Sequence, residues 1–286
     1  MNNPALILAL LIAATSLLAR ADTADSTLVR PAMMMFSAEV GHTRLLDTYL
    51  TPITYGGVSS RLAFEHNQAF GRRPSTWTRQ LTLGLTYDRT RNPARNNTIH
   101  ALMLDARWSA ARRWQLPTRV GAFQLQFGPQ IALRGGAYYD PANSNNVANA
   151  KIHLSAGLQA AASLPIRLGR VPIVLRYQAS LPVIGAFFSP EYDQSYYEIQ
   201  LGNRERIVRP AWWGTRFDLD HTLSADLQLG ATLLRLGYRN LIERSHVSHI
   251  TTRVTTHAFV IGLGGEWMSL SGRKINPNTK IISARY

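Results

Sequence analysis

A chain of 286 residues with 45% hydrophobic content and a formal charge of +14 is long enough for one large β domain or two ordinary ones. It has no cysteine, which excludes thiol catalysis, zinc–cysteine sites and stabilisation by disulfides. No run after residue 21 approaches eighteen apolar residues, so helical membrane spans are excluded from the remainder of the chain.

Residues 1–21, MNNPALILALLIAATSLLARA, read as a secretory signal peptide. Ala5 to Leu18 form its apolar region and Ala19-Arg20-Ala21 the small-x-small cleavage pattern, although the MNNP start carries no Lys or Arg. From residue 33 onward the sequence alternates, apolar then polar, in segment after segment. The first predicted strand, Met33 to Thr43, sets Phe36, Ala38 and Val40 against Ser37, Glu39 and Gly41. The second, Gly56 to His66, opposes Leu62 and Phe64 to Arg61 and Glu65. The third begins near Trp77 and contains QLTLGLTYD, where Leu81, Leu83, Leu85 and Tyr87 alternate with polar residues and Gly84. Thr98 to Ala111 follows, then Gly121 to Arg134, in which Pro129 is expected to mark a bulge. Lys151 to Leu164, Pro172 to Leu181, Trp212 to Asp226, Ala231 to Arg239 and Arg253 to Trp267 complete about ten strands, with twelve as the alternative count.

Such alternation suits a soluble sandwich as well as a membrane barrel. Three patterns favour an all-β, transmembrane antiparallel barrel over residues 33–268, with 269–286 as a C-terminal tail. In the second half, tight connections alternate with three long ones, Gly135–Ala150, Pro182–Ala211 and Asn240–Thr252. Trp77, Trp108, Trp114 and Trp267 map to one end of their strands, and Tyr55, Tyr87, Tyr177, Trp213 and Tyr238 to the other, as interfacial girdles do. The polar face carries Glu39, Glu65, Asp88, Asp105, Asp218, Asp220 and Glu266 together with Arg61, Arg107, Arg176, Arg216, Arg235 and Arg239, beside small residues. A barrel of about ten strands is too narrow for a wide pore. These charges are therefore expected to pair and fill the lumen.

The excess charge is nearly all Arg, with Lys only at 151, 274 and 280, and it is spread along the strands. Nucleic acid is not expected as a partner. The bilayer and lipopolysaccharide phosphates suit an exported, Arg-rich chain better, because Arg meets phosphate through two parallel hydrogen bonds.

Four segments, DTYLTPITYGG at Asp47–Gly57, NPARN at Asn92–Asn96, IVLRYQ at Ile173–Gln178 and LPVIGAFFSPEYDQSYYEI at Leu181–Ile199, resemble a family of exported proteins known as domain of unknown function 3316. The resemblance runs from about residue 36 to 267. It implies an outer-membrane-like β protein and names no reaction; with the signal peptide, the expected location is the outer membrane of a Gram-negative bacterium.

No catalytic motif survives inspection, and neither cofactor nor metal is expected. Gly262-Leu-Gly-Gly has the wrong spacing for a dinucleotide loop, and His246-x-x-His249 lacks an acidic neighbour. Two roles remain open. One is a structural, surface-binding or narrow-solute barrel. The alternative is an outer-membrane hydrolase of lipid, lipopolysaccharide or peptide, with Asp47, Glu191, His246 and His249 gathered in the outer loops.

Overall fold

The computed structural model describes residues 28–119, 121–143, 146–169, 171–268 and 280–284. The segment expected to be a signal peptide and most of the expected C-terminal tail lie outside these. Thirteen strands and one short helix follow in order: β1 (Leu28–Val29), β2 (Ala32–Asp47), β3 (Thr51–Ala69), β4 (Trp77–Arg91), β5 (Thr98–Thr118), β6 (Gly121–Tyr139), β7 (Ala148–Leu168), β8 (Val171–Phe188), α1 (Tyr196–Gln200), β9 (Val208–Trp212), β10 (Arg216–Leu229), β11 (Thr232–Val247), β12 (Ile250–Trp267) and β13 (Lys280–Ile281). Each of β2 to β7 pairs antiparallel with the next, and β8 pairs with both β7 and β10. β12 returns to β2, closing a ten-stranded barrel with no free edge. β9 pairs with the upper part of β8, where β10 has not yet begun.

The ring forms because both faces of every strand find their solvent. Outward stand Phe36, Leu62, Leu85, Leu104, Ile131, Leu154, Leu223 and Phe259, each between 41% and 79% exposed. Inward stand Glu39, Arg61, Asp226, Arg235 and Arg239, each under 9% exposed. An apolar girdle around a polar interior inverts the rule for a soluble domain and matches a hydrocarbon slab. The outward tryptophans Trp77, Trp114 and Trp267 sit at the end where β2 begins, hereafter the terminal end, and Tyr87, Tyr177 and Tyr238 near the opposite, loop end.

Ten predicted strands match barrel strands, but several expectations need correction. Pro129 makes no bulge: β6 keeps one register with β5 and β7 on both sides of it. The irregularities lie instead at Leu45/Asp47 in β2 and at Ala156/Gly157 in β7, opposite Pro182. Asn240–Thr252 is not a long loop. β11 and β12 run on to a two-residue turn in which Ser248 and His249 adopt φ of 47° and 60°. Trp212 ends β9, and the eighth barrel strand starts only at Arg216. Tyr55 belongs to no girdle. It points inward, 2% exposed, and its hydroxyl accepts from Asn97 Nδ2 at 3.0 Å.

Both ends of the barrel are filled by apolar side chains. At the loop end Leu45, Ile99, Met103, Tyr138, Ile250 and Val254 pack together inside the ring. At the terminal end Met33, Met35 and Leu233 do the same, and Ala284 is buried beside them. β13 pairs parallel with β1, and Arg113 Nη1 donates to the Ser283 carbonyl at 2.8 Å, so this part of the tail is held against the barrel's end.

Candidate functional site in the lumen and its mouth

The middle of the lumen holds a layered set of ion pairs. Nearest the terminal end, Arg235 reaches Asp226 at 2.7 Å and Glu65 at 2.8 Å, and Arg176 meets Glu65 from the other side at 2.8 Å. One layer up, Arg61 bridges Glu39 and Asp105, both at 2.8 Å. Arg239 joins Asp220 at 2.8 Å and Glu39 at 3.2 Å, and Arg107 adds a 2.7 Å contact to Asp220. Toward the loop end Arg216 contacts Asp218 at 2.7 Å and Glu243 at 3.1 Å, with Arg134 on Glu243 and His153 Nδ1 3.2 Å from Asp218. Arg is suited to this bridging because its planar fork serves two carboxylates at once. The strand period explains the stacking: charges two residues apart on one strand lie one layer apart on one face.

Two of the predicted lumen charges behave differently. Asp88 points inward and is 4% exposed, but it joins no ion pair among the described residues, and one of its oxygens has no hydrogen-bond partner. Glu266 has inward parity yet lies exposed at the terminal end, where Ser283 donates to it. Five pairing residues were missing from the predicted set: Arg134, Lys151, His153, Asp226 and Glu243. Asp226, Arg134, Lys151 and His153 were findable, since each occupies an inward position of a predicted strand. Glu243 was hidden by the assignment of its segment to a loop.

The mouth is closed by the chain between β8 and β9. Ser195 caps α1, its hydroxyl accepting from the Glu198 amide at 3.3 Å while the Glu198 carboxylate takes the Ser195 amide at 2.7 Å. The Ser195 amide and then its hydroxyl donate to the Glu198 carboxylate and hold it below its usual range. The cap aims Tyr196 into the barrel, where its hydroxyl donates to Asn149 Oδ1 at 3.0 Å and accepts from the Ala150 amide at 2.5 Å. Tyr49 hydroxyl donates to the Gln194 carbonyl at 3.0 Å, and burial, with Asp47 adding to it, pushes its pKa up to about 12. The rim of this plug is latched by Glu191, which binds Arg209, itself 2.7 Å from Ser248 Oγ. Hydrogen bonds from Ser248 and then Arg209 hold the Glu191 carboxyl below its usual range.

The four loop candidates do not converge. Asp47 is wholly buried, fixed by Lys151 at 2.7 Å and Asn149 at 2.8 Å. Glu191 is committed to Arg209. His246 belongs to β11, with Nδ1 2.8 Å from Thr251 Oγ1, and His249 is exposed in the turn. Neither histidine has a carboxylate partner among the described residues. The arrangement offers no His–carboxylate pair open to solvent among the described residues.

Two small cavities lie between these layers among the described residues. One of about 60 Å³ lies amid Glu39, Arg61, Arg107, Asp220 and Arg239, and one of about 20 Å³ lies under the mouth beside Arg134, His153 and Glu243.

A family model described as "Protein of unknown function (DUF3316)" matches residues 5–274. No curated protein matches the chain. Among solved structures, the outer membrane protease OmpT from Escherichia coli is similar at 6% identity and a TM-score of 0.41, over 84% of this chain and 97% of that one. The β domain of the Bordetella autotransporter BrkA is similar at 9% identity and 0.42, over 83% and 100%. Neisserial surface protein A gives 10% and 0.34, over 82% and 97%. Likenesses this distant assign no activity, and the barrel rests on its own strand pairing.

Proposed function

The chain belongs to the DUF3316 family, and we propose that this member is an outer-membrane β-barrel of a Gram-negative envelope, serving a structural or surface-binding role rather than solute passage. The observation that carries this is the division of the two faces: apolar side chains outward over the whole girdle, paired charges inward. A soluble protein would expose that girdle to water at great cost, whereas a bilayer covers it. A closed barrel is also one of the only two backbone arrangements a hydrocarbon core accepts. Passage is disfavoured by the bridged arginines that cross the lumen, with cavities of about 60 Å³ and 20 Å³ among them. Lipid is the partner of the girdle, and lipopolysaccharide is the partner that a net cationic outer wall would meet in the outer leaflet.

Electrophoresis of carbonate-washed membranes, with and without heating, tests the reading. Retention in the outer-membrane fraction and a mobility shift on boiling are expected. Release by the wash, with no shift, would mean that protein and not lipid covers the girdle.

A further inference from the structure

All carboxylates of the barrel strands point inward or end exposed at the terminal rim, so the outer wall carries charge of one sign. Near the loop end this charge is concentrated. Arg44 on β2, Arg89 and Arg91 on β4, Arg244 on β11 and Arg253 on β12 are all exposed and outward, on five neighbouring strands counting β3 between them. None of the five is in an ion pair among the described residues. Residues scattered over more than two hundred positions are thus gathered by strand register into one patch.

The register makes the patch specific. Arg44 and Arg91 both pair with Gly56, one from each side, so their Cα atoms lie two strands apart, about 10 Å. Gly56 places no side chain between them, leaving a gap floored by backbone and flanked by His42. Arg89 is two residues from Arg91 on the same face. Arg244 and Arg253 are direct cross-strand partners. Like charges placed directly opposite destabilise a sheet unless an anion lies between them. One layer below Arg44 and Arg91, level with Arg89, comes a row of imidazoles at His257, His42 and His100, with Tyr238 and Tyr87 hydroxyls bonded to the outer two. Below those the wall turns apolar. An open, shallow depression of about 1150 Å³ at Ala38 is lined by Phe36, Leu62, Leu85 and Ile261 on the same strands and runs on past Leu104 of β5 to Gly135 of β6. From Arg89 to Leu85 is about 13 Å along the strand.

We propose that this stack is a binding site for one lipid bearing at least two phosphates on its headgroup and several acyl chains. The phosphates sit between Arg44, Arg91 and Arg89 and against the Arg244–Arg253 pair, each taken by two parallel guanidinium hydrogen bonds. The chains run down into the apolar depression. This rests on the outer-membrane reading, in which the loop end faces the outer leaflet. It goes further by naming the ligand's chemistry and the residues that hold it.

The full-length protein, released in detergent, is titrated by native mass spectrometry with a bisphosphorylated, multiply acylated glucosamine disaccharide lipid. Wild type should bind one copy. The variant Arg44→Gln/Arg89→Gln/Arg91→Gln should bind about tenfold more weakly or worse, the equivalent of losing one or more charge-assisted hydrogen bonds. Ala38→Phe, which fills the depression, should also weaken binding, and Arg112→Gln, at the terminal end of the wall, should not. Unchanged affinity in the triple variant would overturn the proposal. So would displacement by inorganic phosphate at equal concentration, which means an anion site without chain recognition. Equal binding of phosphatidylglycerol would also overturn it, because it means charge attraction alone. The heat-dependent mobility of the same samples separates these results from a failure of the barrel itself. A shifting barrel that ignores the lipid contradicts only this inference, and a sample with no shift contradicts the membrane reading.

Discussion

Gly84 lies directly beneath the Arg61 guanidinium: a Cβ built on Gly84 would stand 2.1 Å from Arg61 Nη2 and 2.5 Å from Asp105 Oδ1. The inward gap in QLTLGLTYD is therefore the space into which a neighbouring strand's arginine extends. Arg61 cannot swing aside cheaply, because Glu39 and Asp105 pin it from two directions. Gly84→Ala should accordingly destabilise the barrel by about 1–3 kcal/mol, as overpacking does in a tight core. The midpoint of the heat-dependent mobility shift measures it, and an unchanged midpoint would place slack where the structure has none.

Arg235 offers a sharper test of the ionic layers. Its loss in Arg235→Met would leave Asp226 without its ion-pair partner and Glu65 with Arg176 alone. Breaking a buried pair costs about 3–5 kcal/mol, since an uncompensated charge remains. Adding Asp226→Asn should recover part of that loss. Urea unfolding of the two variants in detergent checks both the fall and the partial recovery.

The latch at the mouth should respond to acid. The folded value of Glu191 lies below that of the unfolded chain, held there by Ser248 and Arg209. Its contribution is fully present above the ordinary Glu value, about 4.3, and fades as pH falls through the depressed one. Amide hydrogen exchange over residues 189–207, corrected for intrinsic rate, should rise only below about pH 4. Glu191→Gln should show the faster exchange already at neutral pH. The effect is local, because Glu191 is partly exposed and its pairing is screened by water.

Within the girdle the sequence was transparent and outside it was not, for one physical reason. Between the two interfaces the outward face must be apolar, so Leu83, Leu85 and Tyr87 alternate cleanly with inward polar residues. Above the upper interface the outward face meets water and the inward face meets the plug, and the pattern inverts. In β11, Leu241 points inward and Arg244 and His246 outward. In β2 the same happens with Leu45 inward and Arg44 outward. A reading that seeks apolar-outward strands stops where the sign changes, which is why Asn240–Thr252 read as a loop and Glu243 was not found. Arg44, Arg89, Arg91, Arg244 and Arg253 looked dispersed because only strand register brings them together. The mouth was less legible still. Nothing local in FFSPEYDQSYYEI announces that Tyr196 bonds Asn149, although the Ser195–Glu198 capping box can be read from the letters.

The plug and the ionic layers are separable. Deleting residues 190–206 should open the mouth above the Tyr138 and Ile99 cluster and yet leave the bridged arginines of the lumen in place.

Whether ions cross the lumen decides between a filled barrel and a channel. Purified protein, with and without residues 190–206, is inserted into planar bilayers and the current recorded at fixed voltage. Neither form should give stable conductance steps, because Arg61, Arg235 and Arg239 span the interior whether or not the mouth is covered. Stable, ohmic steps from the intact chain would contradict the account and make the barrel a channel.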